Sequence, residues 1–115
     1  MKITINDQRK LYAIQDEFCA LFPNLRLEFY KKPATAKKTH SPKVMESYAQ
    51  TIGECRSIHK KGALTVTPEM TALNLESNFD DVFGIHVKVL IKDGNFWVEP
   101  DMKNKYSLRE QNNRS

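Results

Sequence analysis

An α+β fold built from two tandem strand-helix-strand units is what this sequence predicts, and three observations carry the prediction. Leu64 and Val66 alternate with Thr65, and Ile85, Val87, Val89 and Ile91 alternate with His86, Lys88 and Leu90, the period of two of half-buried strands. Between them Leu75, Phe79, Val82 and Phe83 recur at helical spacing, so Ala63 to Lys92 reads as strand, helix, strand. Moving back 61 positions uncovers a degenerate copy at Lys2 to Lys31. There Ile3, Thr4 and Ile5 stand under Leu64, Thr65 and Val66, and Ile14, Phe18, Leu21 and Phe22 under Leu75, Phe79, Val82 and Phe83. Finally, Thr51, Ile52 and Glu54 are matched by Ser107, Leu108 and Glu110. Each is a hydroxyl residue three places before a glutamate, a capping box opening a short trailing helix.

Taken in order, Lys2 to Ile5 reads as a first strand, and Asn6 or Asp7 as the cap of a helix that Pro23 ends near Phe22. The inner face of that helix is expected to be Leu11, Ile14, Phe18, Leu21 and Phe22. The turn at Pro23 and Asn24 shifts the repeat by one, bringing Leu25, Leu27 and Phe29 of the second strand under Ile85, Val87 and Val89. Arg26, Glu28 and Tyr30 then point the other way. Lys31 to His40 reads as a basic loop. Beyond it, one reading opens a helix at Ser41 and Pro42 with Met45, Tyr48, Ile52, Cys55 and Ile58 on its apolar side, and the other opens it only at Thr51. In the second unit Thr71 caps the helix and Gly84 stops it. Asp93 and Gly94 turn the chain into an extra C-terminal strand, Phe96 to Glu99, for which the first unit shows no equivalent.

Two right-handed units fused through one sheet give a ferredoxin-like βαββαβ sandwich from an internal duplication, with a basic insert and both main helices on one face. A swapped or dimeric pairing of the same units is the alternative. A chain of 115 residues has room for one core, so a single domain, 1–115, is expected, with pseudo-repeats at 2–61 and 63–115.

Composition excludes several classes. Forty per cent apolar and 28% charged residues suit a globular chain with a packed core. The start, MKITINDQRK, has no apolar run of signal-peptide length, and no stretch approaches the roughly 18 apolar residues of a membrane span. A cytoplasmic location follows as the expectation, with Cys19 and Cys55 as thiols. The net charge of +4 is concentrated in one segment. Lys31 to Lys61 holds eight basic residues against Glu46 and Glu54, while the remainder has ten basic and twelve acidic residues.

Phe79 to Val89, FDDVFGIHVKV, together with Ser107 to Asn112, SLREQN, resembles a family of small bacterial proteins of unknown function. The resemblance spans the C-terminal half and implies no activity.

No phosphate-cradling glycine loop, nucleophile elbow or HExxH helix is present, and four glycines leave little for a loop-built active site. Cys55 and His59, four apart, would need His40 or Cys19 to complete a zinc site, and the core-thiol reading is preferred. His86, with Lys88 and Tyr30 as neighbours, offers acid-base chemistry, but a solvated strand face is the simpler account. The chain is therefore expected to be a non-enzymatic binding or assembly module without cofactor or metal. Its contact with an acidic protein partner would use Lys31, Lys32, Lys37, Lys38, Lys43, Lys60 and Lys61, with Tyr30, His86, Lys88 and Trp97 on an interface for a partner or a second copy. Non-specific nucleic-acid binding through the same lysines is the alternative. Base stacking is disfavoured because the expected central strands offer Thr4 and Thr65 outward, leaving Tyr30, Phe96 and Trp97 as the available rings. A small enzyme centred on His86 is the third reading.

Overall fold

The computed structural model describes residues 1–31, 43–44 and 47–114. In chain order the elements are β1 (Lys2–Ile5), α1 (Leu11–Leu21), β2 (Leu25–Lys31), β3 (Lys43–Val44), a 3-10 turn (Ile52–Cys55), β4 (Gly62–Thr65), α2 (Ala72–Phe83), β5 (His86–Asp93), β6 (Phe96–Val98) and α3 (Leu108–Asn113). Mixed α+β structure is thus as expected. Among the described residues no helix is long and apolar enough to cross a membrane.

The strand partners differ from a ferredoxin-like sandwich. Instead of one sheet with β1 and β4 at its centre, the strands form an antiparallel pair, β1-β4, and a separate four-stranded antiparallel sheet in the order β3-β2-β5-β6. Ile3 stands opposite Leu64, and Glu28 opposite Lys88. These are residues that the repeat alignment equates, so matching strands of the two halves face one another about their matching positions. Local alternation specifies which face of a strand is buried and not which strand lies beside it, so the sequence pattern was compatible with both arrangements.

The first half does contain an edge strand. β3 pairs with β2 through Tyr30 and Lys31, as β6 pairs with β5 through Ile91 to Asp93. Two residues of strand are too few to leave a periodic signal.

Both main helices lie on one face of the larger sheet, the face that carries Leu25, Leu27, Phe29, Val87 and Val89. Phe18 and Phe79 are completely buried, and Phe29 meets Phe79 edge-on at 6.4 Å between ring centres. With Ile3, Ile5 and Leu64 from the small sheet and Val66 just past β4, the buried residues of both halves make one cluster. Leu21 and Val82, expected to face inward, are instead exposed. They occupy matching positions, so both helices are rotated the same way relative to the expectation.

Helix boundaries show where caps can come from. Thr71 accepts a hydrogen bond from the Asn74 amide, and Gly84 closes α2 at φ 64°, both as expected. The α1 cap is corrected from Asn6 or Asp7 to Lys10, whose side chain caps nothing. The first-turn amides of Leu11 and Tyr12 donate instead to the carbonyls of Gln50 and Tyr48, 2.9 Å away. Asn6 is occupied nearby, accepting from the amides of Gln8 and Arg9.

Both capping boxes form, at Thr51 with Glu54 and at Ser107 with Glu110. The first opens only the 3-10 turn, so the longer reading beginning at Ser41 is not what the described part of that segment adopts. Ile52 and Cys55 from its supposed apolar side are buried, Ile58 is exposed, and Met45 lies outside the described residues. Each box is stitched to the approach of its own main helix. Ile52 N donates to Arg9 O and Gly53 N to Asp7 O; Leu108 N donates to Met70 O and Arg109 N to Pro68 O.

Candidate binding surface

The face of the four-stranded sheet away from the helices is built by the alternate residues of β2 and β5. The ladder sets Tyr30 opposite His86, Glu28 opposite Lys88 and Arg26 opposite Leu90. Thr4 and Thr65 are exposed on the small sheet, so the expectation that they would dominate the central strands is corrected. Three of the four expected interface residues, Tyr30, His86 and Lys88, are neighbours, and Trp97 joins the face from β6 opposite Lys92.

This face is tied together by cation-ring contacts and short ion pairs. The Arg26 guanidinium lies 5.4 Å from the centre of the Tyr48 ring and 5.8 Å from that of Trp97. Leu90, on the same face, is only 6% exposed. Lys88 Nζ sits 5.2 Å from the Tyr30 ring and 3.8 Å from Glu99. Glu99 accepts from Lys103 at 2.6 Å, and Lys103 also donates to Glu76, which accepts the Val89 amide at 2.8 Å. Burial raises the Tyr30 pKa above the ordinary phenol range, helped by the Glu28 carboxylate that accepts its hydroxyl hydrogen at 2.8 Å. The Lys103 ammonium, donating to Glu99, holds that carboxyl below its usual value despite desolvation. Tyr30 is thereby a neutral donor, and the charges of this face are largely matched within the protein.

His86 is only partly exposed, and its Nε2 has no hydrogen-bond partner among the described residues, the nearest carboxylate being Asp80 at 3.7 Å. A hollow of about 220 Å³ beside it is lined by Glu76, Ser77, Asp80 and Asp81. Lys88 and Tyr30 engage Glu99 and Glu28, so the imidazole is set among acidic groups rather than in a relay with those two.

The lysines divide by position. Lys31, at the end of β2, stands directly opposite Lys43 of β3. Lys60 and Lys61 are exposed on the approach to β4. Lys32, Lys37 and Lys38 lie outside the described residues. Lys31, Lys60 and Lys61 make no ion pair among the described residues, whereas Lys88, Lys103 and Arg109 in the second half are each paired with glutamate.

The other cation of the segment, Arg56, is buried and structural. Its Nε and Nη2 donate to Asp7 Oδ1 at 3.1 and 2.8 Å, and Nη1 donates to the Phe83 carbonyl at 2.8 Å. The charge surplus read from sequence therefore overstates the outward charge by one. Asn112, as far past Ser107 as Arg56 is past Thr51, meets the turn after α1, accepting from the Asn24 amide on its side chain and from the Asn24 side-chain N–H on its carbonyl. A basic residue just past a capping-box helix, matched by Asn in the other half, was the only sequence trace of this link.

Cys55 and His59 are not brought together. The Cys55 thiol is buried, donates to the Ile52 carbonyl and has its pKa pushed up to about 11 by desolvation. His59 is exposed and places Nδ1 2.8 Å from Asp7 Oδ2. Cys19 turns to the Leu25 carbonyl, and His40 lies outside the described residues. No protein-family model matches the chain, and neither a curated protein nor a solved structure matches it.

Proposed function

We propose that this protein is a non-enzymatic binding module, assembled from two copies of one ancestral strand-helix-strand unit, that holds an acidic protein partner through its lysine-rich segment. The lysines concerned are Lys31, Lys32, Lys37, Lys38, Lys43, Lys60 and Lys61. The supporting observation is the unneutralised charge of Lys31, Lys60 and Lys61 among the described residues, with Lys43 set against Lys31. Such cations attract an anionic surface at long range and contribute more to encounter rate and orientation than to tight holding.

A specific observation supports nucleic acid as the second reading. The true central strands carry Tyr30, with Trp97 alongside, rather than Thr4 and Thr65. It ranks second because those rings are already approached by Lys88 and Arg26, and Glu28 and Glu99 stand beside them.

Fluorescence anisotropy with a labelled poly-glutamate peptide and a labelled single-stranded oligonucleotide of equal charge separates the two. The peptide is expected to bind at low salt and weaken as salt rises, and the combined change Lys31→Glu, Lys60→Glu and Lys61→Glu to weaken it by about tenfold or more. Tighter binding of the oligonucleotide would favour the second reading. Absence of binding to either probe at low salt would remove both.

A further inference from the structure

The two edges of the four-stranded sheet are finished differently. At one, β3 sets Lys43 against Lys31, and lysines on an edge strand discourage further strands from adding. At the other, β6 consists of Phe96, Trp97 and Val98 and carries no charge. Phe96 is 74% exposed, more than any other large apolar side chain among the described residues, and Val98 is exposed beside it.

The hairpin fixes which way this edge points. Its turn has two residues, Gly94 at φ 60° and Asn95, so Asp93 and Phe96 are the closing hydrogen-bonded pair. Alternation then directs the backbone N–H and C=O of Phe96 and Val98 toward β5 and those of Trp97 away from it. No turn, loop or cap hydrogen bond among the described residues engages the Trp97 backbone. The Trp97 side chain lies on the outer face across from Lys92, whereas Phe96 and Val98 lie on the helix side across from Asp93 and Ile91. On that side Ile91, Val98 and Pro100 line a hollow of about 420 Å³ with α3 at its back. Gln111, completely buried, ties the α3 wall to the Asp101 carbonyl at 2.7 Å, while its Oε1 accepts from nothing among the described residues.

We propose that β6 pairs antiparallel with β6 of a second copy of this chain, about a twofold axis through Trp97, joining two four-stranded sheets into one. A second copy is the occupant because this edge is complementary to itself. In that register the two Trp97 residues exchange both backbone hydrogen bonds, Phe96 stands opposite Val98 of the other copy, and Asn95 stands opposite Glu99. No like charges are opposed, and each Phe96 ring reaches the mouth of the other copy's hollow, against Val98. A shift of two residues in either direction takes Phe96 away from Val98, and one of the two sets both Glu99 carboxylates diagonally across the seam. The β3 edge stays free at each end of the joined sheet, so the pairing is independent of the lysine contact.

A seam of about five residues per copy is small, so a weak dimer is expected, with a Kd on the order of 100 μM. Sedimentation velocity of the full chain from about 10 μM to 1 mM would follow it, with ¹⁵N spectra over the same range showing where the copies meet. Concentration-dependent shifts are expected at Asn95 to Glu99 and along the hollow, a readout that needs no variant. Phe96→Lys and Val98→Glu, both at exposed positions, should each weaken association about tenfold or more. The double variant sets each new lysine opposite a new glutamate of the other copy and should regain most of the lost affinity. A chain still monomeric at about 1 mM, shifts centred on another face, association that neither single change weakens, or a double variant no tighter than the weaker single would overturn the proposal.

Discussion

Replacing Arg56 by Met tests whether the two halves are joined as described. The guanidinium side chain is fully buried, and the substitution keeps most of the stem while removing three hydrogen bonds. The Phe83 carbonyl, an unpaired acceptor at the end of α2, would be left bare at a cost of about 1–3 kcal/mol. Asp7, with 29% of its side chain exposed, recovers solvent and keeps His59, so its share is small. A total loss of about 2–3 kcal/mol is expected. Asp7→Asn strands the buried cation without its counter-charge and should cost about 3–5 kcal/mol. Urea denaturation of the two single variants and the double variant gives the coupling, expected at about 3 kcal/mol because the stranded cation's cost vanishes once Arg56 is replaced, with the double variant less damaged than the sum. Additivity within about 0.5 kcal/mol would refute the account.

The same pair predicts a pH dependence. The hydrogen bond from Arg56, outweighing desolvation, holds the Asp7 carboxyl below its ordinary value of 3.8. A lowered folded-state pKa means that the carboxylate's contribution is complete above the unfolded value and disappears as pH falls through the folded one. The native chain should therefore lose stability below about pH 4 more steeply than the Asp7→Asn variant.

Core and turn predictions follow from burial. Phe18→Ala and Phe79→Ala should each cost about 3–5 kcal/mol in denaturant titrations, whereas Leu21→Ala and Val82→Ala at the exposed positions should cost about 1 kcal/mol or less. Equal damage at both sets would show that the helices are rotated differently. Gly84→Ala places a Cβ 2.4 Å from Ile58 Cγ1 on a backbone at φ 64°. A loss of about 2–4 kcal/mol is expected, part of it recovered when Ile58→Ala is added, as thermal melts would show.

The features legible in sequence were those set by nearby residues. Thr71 and Gly84 bound α2, the hydroxyl-glutamate spacing at Thr51 and Ser107 gives two capping boxes, and Phe18 and Phe79 mark equivalent core sites. Misread were the features that distant chain supplies. Lys10 looks like no cap because the carbonyls of Tyr48 and Gln50 do the work, and Arg56 looks like surface charge because its partners lie 49 and 27 residues away. Of the interface residues, Tyr30, Lys88 and His86 shared a face on alternation alone. That Arg26 would stand between Tyr48 and Trp97 required knowing that β2 flanks β5, and Gln111 gave no signal because an unmet hydrogen bond leaves no trace in composition.

The antiparallel matching of β1 with β4 and β2 with β5 bears on how the molecule comes into being. Among the described residues, the first half has just one ladder of its own, the two-residue pairing of β2 with β3, so a chain emerging from the ribosome cannot complete either sheet until β4 and then β5 have been made. Every pairing between the halves closes a long loop, the circumstance that slows folding and leaves the nascent first half with apolar edges uncovered.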